Sequence, residues 1–242
     1  MINILNKQNI NQYDEWFSNL KENGGLILID KEEGLTSFQI IKKIKYLFKN
    51  FKVGHSGTLD PLASGLLIIA IGKATKQLDL LQIQDKQYEG ILKLGATTAS
   101  FDRETPEIEH KSIENIQEKD ILQLIDKFNG TIEQVPPIFS ALKFDGKRAY
   151  KLARNQNNVK LEPRKVKISN FQILEIDFPY VKFIIDVSKG FYVRSFARDV
   201  GIVLNCPSYL YALKRTRIGE FFLKDAISFE DIQRFNLKFD IQ

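Results

Sequence analysis

Apolar and polar positions change period repeatedly along this 242-residue chain, and each change marks an element. Leu26 to Ile29 in GGLILID form an unbroken apolar run, which predicts a buried strand. From Thr36 the pattern turns helical. Ile40, Ile41, Ile44, Leu47 and Phe48 share one face, and Thr36 and Ser37 can cap the start. LLIIAIG reads as a short strand, Lys73 to Leu81 as a helix, and the alternation in YEGILKLG as another strand. Residues 96 to 111 are polar and predict a connection. Ile113 to Phe128 repeats at helical period, with Ile121, Leu124, Ile125 and Phe128 together. VKISNFQILEI and YVKFIIDVS predict two strands. After an SKG turn, FYVR is expected to end a strand and SFARDVGIVLN to form a helix, ahead of a last basic strand in KRTRIGEFFL. The irregular alternation of strands and helices predicts an α/β fold of the mixed, α+β type rather than a doubly wound sheet.

No repeat, low-complexity tract or linker interrupts the chain, so one compact domain is expected. Residues 1–23 are polar and read as an N-terminal extension, with Tyr13, Trp16, Phe17 and Leu20 spaced for a short amphipathic helix. The main domain is expected over residues 24–227, with an irregular excursion at about 130–158 that contains Pro136, Pro137 and a basic cluster. Residues 228–242 read as a short tail. No apolar run approaches the ~18 residues of a membrane span. The first residues lack a secretory pattern, so a cytoplasmic location is the expectation.

Composition narrows the chemistry. Hydrophobic residues make up 43% and charged residues 27%, the balance of a globular protein. A single cysteine, Cys206, and two histidines, His55 and His110, exclude an internal disulfide and a Cys/His metal cluster. An all-carboxylate metal site stays open, although no spacing asks for one. The net charge of +5 is a mild excess that suits a polyanion without requiring one. Its placement says more, since basic residues crowd between Lys143 and Lys167, as an RNA-binding surface or a solvated face would have them, and Lys214, Arg215 and Arg217 are further candidate phosphate contacts.

The densest chemical signal is GHSGTLDPLASG. Glycines, a proline and small polar residues surround one acid, Asp60, directly before an apolar strand. A carboxylate fixed there can be partly desolvated yet reach a cleft, although Asp-Pro is also an ordinary turn dipeptide. Neither GxGxxG nor GxxxxGK[ST] is present, so phosphate cradling is the weaker reading.

GHSGTLDPLASGLL resembles the nucleophile motif of the TruB-type tRNA pseudouridine-55 synthases, and further matches follow in that family's order. GGLILIDKEEGLTS is similar to its first strand and turn, and ATKQLDLLQIQDKQYEGILKLG to its tyrosine motif. FNGTIEQVPPIFSALKFDGKRAYKLAR resembles its RNA-contacting insertion, SKGFYVRSFARDVG its arginine motif, and LKRTRIGEF its closing strand. The resemblance implies a mixed, mostly antiparallel sheet flanked by helices. It also implies isomerisation of the T-loop uridine of tRNA after base flipping, by a monomer that needs no cofactor, guide RNA or protein partner. It assigns Asp60 as the catalytic aspartate, Tyr88 as the aromatic packed on the target base and implicated in proton abstraction, and Arg194 as the aspartate's cation. Tyr192, Leu213 and His55 correspond to groups near the flipped nucleotide or holding the opened loop, and Lys143 and Arg154 to RNA contacts in the insertion. The residues after Ile227 are too few for the C-terminal RNA-binding domain that many members carry.

The chemistry agrees with these roles. A carboxylate can attack or stabilise the sugar carbon as the base departs, an adjacent guanidinium keeps it ionised against desolvation, and an aromatic face retains the detached uracil. Tyr88 or a water could take the final proton. Each residue also has an ordinary reading: Tyr88 and Tyr192 as sheet packing, Arg194 as a salt bridge, Leu213 as core. A guide-RNA-dependent synthase, a tRNA-folding chaperone and an inactive basic scaffold are the rival readings. Turnover of an unmodified transcript separates them.

Overall fold

A computed structural model describes residues 3–138, 143–144, 147–148 and 161–237. In chain order it holds β1 (Ile4–Leu5), α1 (Tyr13–Ser18), α2 (Leu20–Asn23), β2 (Gly25–Lys31), α3 (Ser37–Leu47), β3 (Val53–His55), β4 (Ala63–Ile71), α4 (Leu78–Ile83) and β5 (Lys86–Leu94). Next come β6 (Ala96–Thr98), β7 (Glu107–His110), α5 (Glu118–Phe128), β8 (Gly130–Gln134), β9 (Lys143–Phe144) and β10 (Lys147–Arg148). The chain continues with β11 (Arg164–Asp177), β12 (Tyr180–Val187), α6 (Val193–Val203), β13 (Ser208–Ile218), β14 (Phe221–Phe222) and α7 (Phe229–Leu237). Two compact units result, one formed by residues 1–88 and 214–242, the other by 89–213.

In the first unit β2 runs between β1, parallel to it, and β4, antiparallel. The continuous apolar run in β2 follows from burial of both faces. Ile27 and Ile29 join Leu67, Ile69 and Ile71 in one cluster, while Leu26 and Leu28 join Leu66, Ile68 and Ala70 in the other. α3 starts where its sequence says: Thr36 caps it in a capping box with Gln39, and Ile40, Ile44 and Phe48 sink into the core. The N-terminal segment that the sequence set apart packs into this same core. Leu5, Tyr13, Trp16 and Leu20 are buried against Ile40, Ile44, Phe48 and Ile232. Each such side chain contributes about 1.5–3 kcal/mol by burial.

In the second unit the strand order is β5-β12-β11-β8. β5 alternates buried and half-buried residues, as its sequence predicts. Phe128 of α5, Phe171 of β11 and Phe183 of β12 surround Phe196 of α6, with ring centroids 5.0, 5.2 and 5.6 Å from it. A Cβ at Gly90 would stand 2.5 Å from the Phe183 ring, so the strand needs glycine there. Three elements differ from expectation. Residues 96–111, expected as a connection, contain the β6–β7 hairpin. The start of the expected excursion is β8, an ordered strand paired with β11 over Gly130–Gln134. FYVR does not end a strand: α6 begins at Val193, because Phe196, Ala197 and Val200 must face the aromatic core, and this outweighs the local β preference of Phe-Tyr-Val.

Candidate active site

Asp60 sits on a loop of the first unit that is pinned from several sides. β3 pairs with β4 through His55↔Ile69, and the Ser56 N–H donates to the Ile68 carbonyl at 3.0 Å. The Ser37 hydroxyl, at the start of α3, accepts from the Leu59 N–H at 2.8 Å and donates to the Leu59 carbonyl at 3.0 Å. Beyond Asp60, the Gly34 N–H donates to the Pro61 carbonyl at 2.8 Å, and the Ala63 N–H to the Asp60 carbonyl at 3.1 Å. Buried Leu59 and Leu62 flank the half-buried aspartate on either side. The turn expected of Asp-Pro is therefore present, and it fixes the residue that carries the carboxylate.

Arg215 braces the loop from beneath. It is 1% exposed, its Nε donates to the Leu66 carbonyl at 2.8 Å, and Nη2 donates to the Gly57 carbonyl at 3.2 Å. Gly65 makes the approach possible, because with φ of 98° a Cβ there would lie 2.4 Å from the Arg215 carbonyl oxygen. The sequence placed Arg215 among candidate phosphate contacts, but the structure buries it under the loop instead. His55 receives a hydrogen bond at Nδ1 from the Gly57 N–H, at 3.2 Å. Burial is the largest influence on this imidazole and pushes its pKa below the usual histidine value; a Gly57 backbone hydrogen bond opposes that shift, and the charge of Arg215 reinforces it. Tyr88 closes this unit's share of the candidate residues, buried on β5.

Arg194, Tyr192 and Leu213 belong to the second unit. Arg194 lies in the first turn of α6, 7% exposed, with Nε 3.6 Å from Oδ2 of Asp102 and Nη1 donating to the Ser100 carbonyl at 3.4 Å. Asp102 is wholly buried. Its Oδ1 accepts from the Ser100 hydroxyl and from the Glu104 N–H at 3.0 Å, and its carbonyl accepts from Thr98. The Tyr192 N–H precedes the helix and donates to Gln134 Oε1 at 2.8 Å, and the Ser195 hydroxyl donates to the Val135 carbonyl at 2.8 Å, so the helix start is held by the end of β8. The Arg164 guanidinium lies 6.0 Å from the centre of the Tyr192 ring. Leu213 is half-buried on β13. Lys143 lies on β9, with its side chain outside the described residues, and Arg154 lies wholly outside them.

Sequence reading overlooked Asp102 and misplaced Arg215. Asp102 is an acid in a polar stretch, SFDRET, and nothing local distinguishes it from a solvated one. In the fold its neighbours Ser100 and Thr105 bring their hydroxyls to 2.8 Å of each other and complete a buried polar knot. Arg215 was noticed but given a surface role.

The model of the TruB family pseudouridylate synthase, N-terminal domain, matches residues 45–193, a span that takes in His55, Asp60, Tyr88, Asp102 and Tyr192. The chain belongs to the TruB family of pseudouridylate synthases. A tRNA pseudouridine synthase B of Clostridium kluyveri is 43% identical over 88% of this chain and 73% of its own length. One from Flavobacterium johnsoniae is 46% identical over 84% of this chain and 92% of its own. Among solved structures, a crystal structure of a Cbf5–Nop10–Gar1 complex superposes with a TM-score of 0.69 at 29% identity over 90% of this chain, which spans 56% of that one. The mixed, largely antiparallel sheet expected from the sequence is the fold of this TruB-family chain. No helix among the described residues is long and apolar enough to cross a membrane.

Proposed function

We propose that this TruB-family synthase converts the T-loop uridine of tRNA to pseudouridine, with Asp60 at the reacting sugar. The observation that carries this reading is the pinning of Leu59, Asp60 and Pro61 by Ser37, Ala63 and Gly34, which fixes the one carboxylate of the GHSGTLDPLASG loop. The names of its relatives as tRNA pseudouridine synthases support the substrate.

The uridine leaves its stack at a cost of a few kcal/mol, repaid by contacts to the RNA backbone. The Asp60 carboxylate faces the sugar carbon as the C1′–N1 bond breaks and its electron pair leaves with the uracil. The family resemblance assigns Arg194 as the cation that opposes the cost of desolvating this carboxylate. Tyr88 retains the uracil while it turns to present C5. The C5–C1′ bond then forms, and loss of the C5 proton restores the ring. N1, which left with the bonding pair, takes up a proton from solvent in exchange for the one lost from C5, so the product is an isomer and no redox partner is needed. His55, Tyr192 and Leu213 contact the flipped nucleotide and the opened loop, Lys143 and Arg154 the RNA backbone. The protein acts as a cytoplasmic monomer without guide RNA.

The test is Asp60→Asn on an unmodified T-arm stem-loop. RNA affinity is expected to stay within about threefold of wild type while pseudouridine formation falls by at least about 10⁴-fold. Retained turnover overturns the assignment.

A further inference from the structure

The outward face of α3 has no part in the core. Lys42 and Lys45 are exposed there, Lys49 is exposed just past the helix end, and the helix contains no Asp or Glu. Among these lysines stand Phe38 and Tyr46, 73% and 70% exposed. Lys49 Nζ lies 4.8 Å from the centre of the Tyr46 ring. With 3.6 residues per turn, Phe38, Lys42, Lys45 and Tyr46 fall within about 100° of the helix circumference, and Phe38 to Tyr46 spans about 12 Å. On the other long helix with an exposed polar face, α5, Glu118, Lys119, Asp126 and Lys127 mix both signs. The α3 face differs by having one sign of charge and two open rings, a combination that suits nucleotides better than water.

Its position supplies the second observation. Ser37, the first residue of α3, is hydrogen-bonded to both backbone groups of Leu59, the neighbour of Asp60. The first turn of this helix is therefore attached to the loop that carries Asp60. The aliphatic side chains Ile40 and Ile44 of α3 are spent on the core, which leaves two rings and the lysines outward, and vesicle binding separates a lipid surface from RNA as the occupant.

We propose that Lys42, Lys45 and Lys49, with Phe38 and Tyr46, form an RNA-binding face that takes the phosphates and nucleotides flanking the target uridine. This rests on the RNA-modifying reading above and extends it to a surface outside the catalytic groups. Two full-length variants test it, Lys42→Glu/Lys45→Glu and Phe38→Ala/Tyr46→Ala, both checked for a wild-type melting curve. With an unmodified tRNA transcript, the charge reversal is expected to raise Kd by about tenfold or more and to lower the salt slope of log Kd by roughly two. The ring variant is expected to raise Kd by about tenfold at an unchanged slope. Turnover at saturating RNA stays at the wild-type value in both, because neither pair touches the reacting groups. Wild-type Kd and slope in both variants overturn the proposal, as does loss of binding to phosphatidylglycerol vesicles with tRNA binding intact. Absence of pseudouridine in the wild-type reaction is a separate result that overturns the proposed function instead.

Discussion

Arg215 and Arg194 are both buried guanidiniums, and the two units hold them in opposite ways. Arg215 donates to the carbonyls of Leu66 and Gly57, neutral dipoles that accept its hydrogen bonds without supplying a counter-charge. Arg194 has a buried carboxylate, Asp102, as its counter-ion. Carbonyls let a cation act as a brace, since what is fixed is the shape of the loop that supplies them. A carboxylate fixes the cation itself. His55 lies near the Arg215 charge: burial first, and that charge after it, keep its imidazole neutral more readily than an ordinary histidine.

Breaking each arrangement in turn should show the difference, most strongly at Arg194. Arg194→Met leaves Asp102 buried without this cation, and urea unfolding is expected to report a loss of about 3–5 kcal/mol. Arg215→Met removes a charge along with its hydrogen bonds and strands only carbonyls, so about 1–3 kcal/mol is expected from the same measurement. Its larger consequence is kinetic, a drop in kcat that Arg215→Lys partly restores, because the loop beneath Asp60 loses its brace. Equal destabilisation by the two methionine variants would abolish the contrast.

The smallest effect concerns His55. Its folded pKa lies below the unfolded value, so as pH falls through about 6.5 the unfolded chain takes up the proton first and stability declines. Wild type should therefore lose more melting temperature than His55→Gln between about pH 7.5 and pH 5.5. An identical loss in both proteins would show that folding does not lower the pKa of His55.

How much was legible in the sequence differs between these sites. The loop of Asp60 announced itself, because glycine, proline and a lone acid beside an apolar strand form a local signature. The setting of Arg194 did not. Ser100, Asp102 and Arg194 meet across 94 residues of chain, and SFDRET carries no mark of burial. Even the helix that carries Arg194 was misplaced by its first residues, since Phe-Tyr-Val prefers a strand until Phe196 has its aromatic partners.

By itself the sequence determined what rests on neighbours along the chain: the buried strand β2, the capped helix α3, the turn at Asp60 and the collinear motifs of the TruB family. Hydrophobic period, capping and turn chemistry act over a few residues, so they can be read in order. The tertiary structure alone decided that Trp16 and Leu20 belong to the core, that Arg215 faces inward and that Asp102 is buried. Burial of a polar group or an outlying segment depends on partners far off in sequence, and the cost of leaving such groups unpaired appears only once the chain has closed around them.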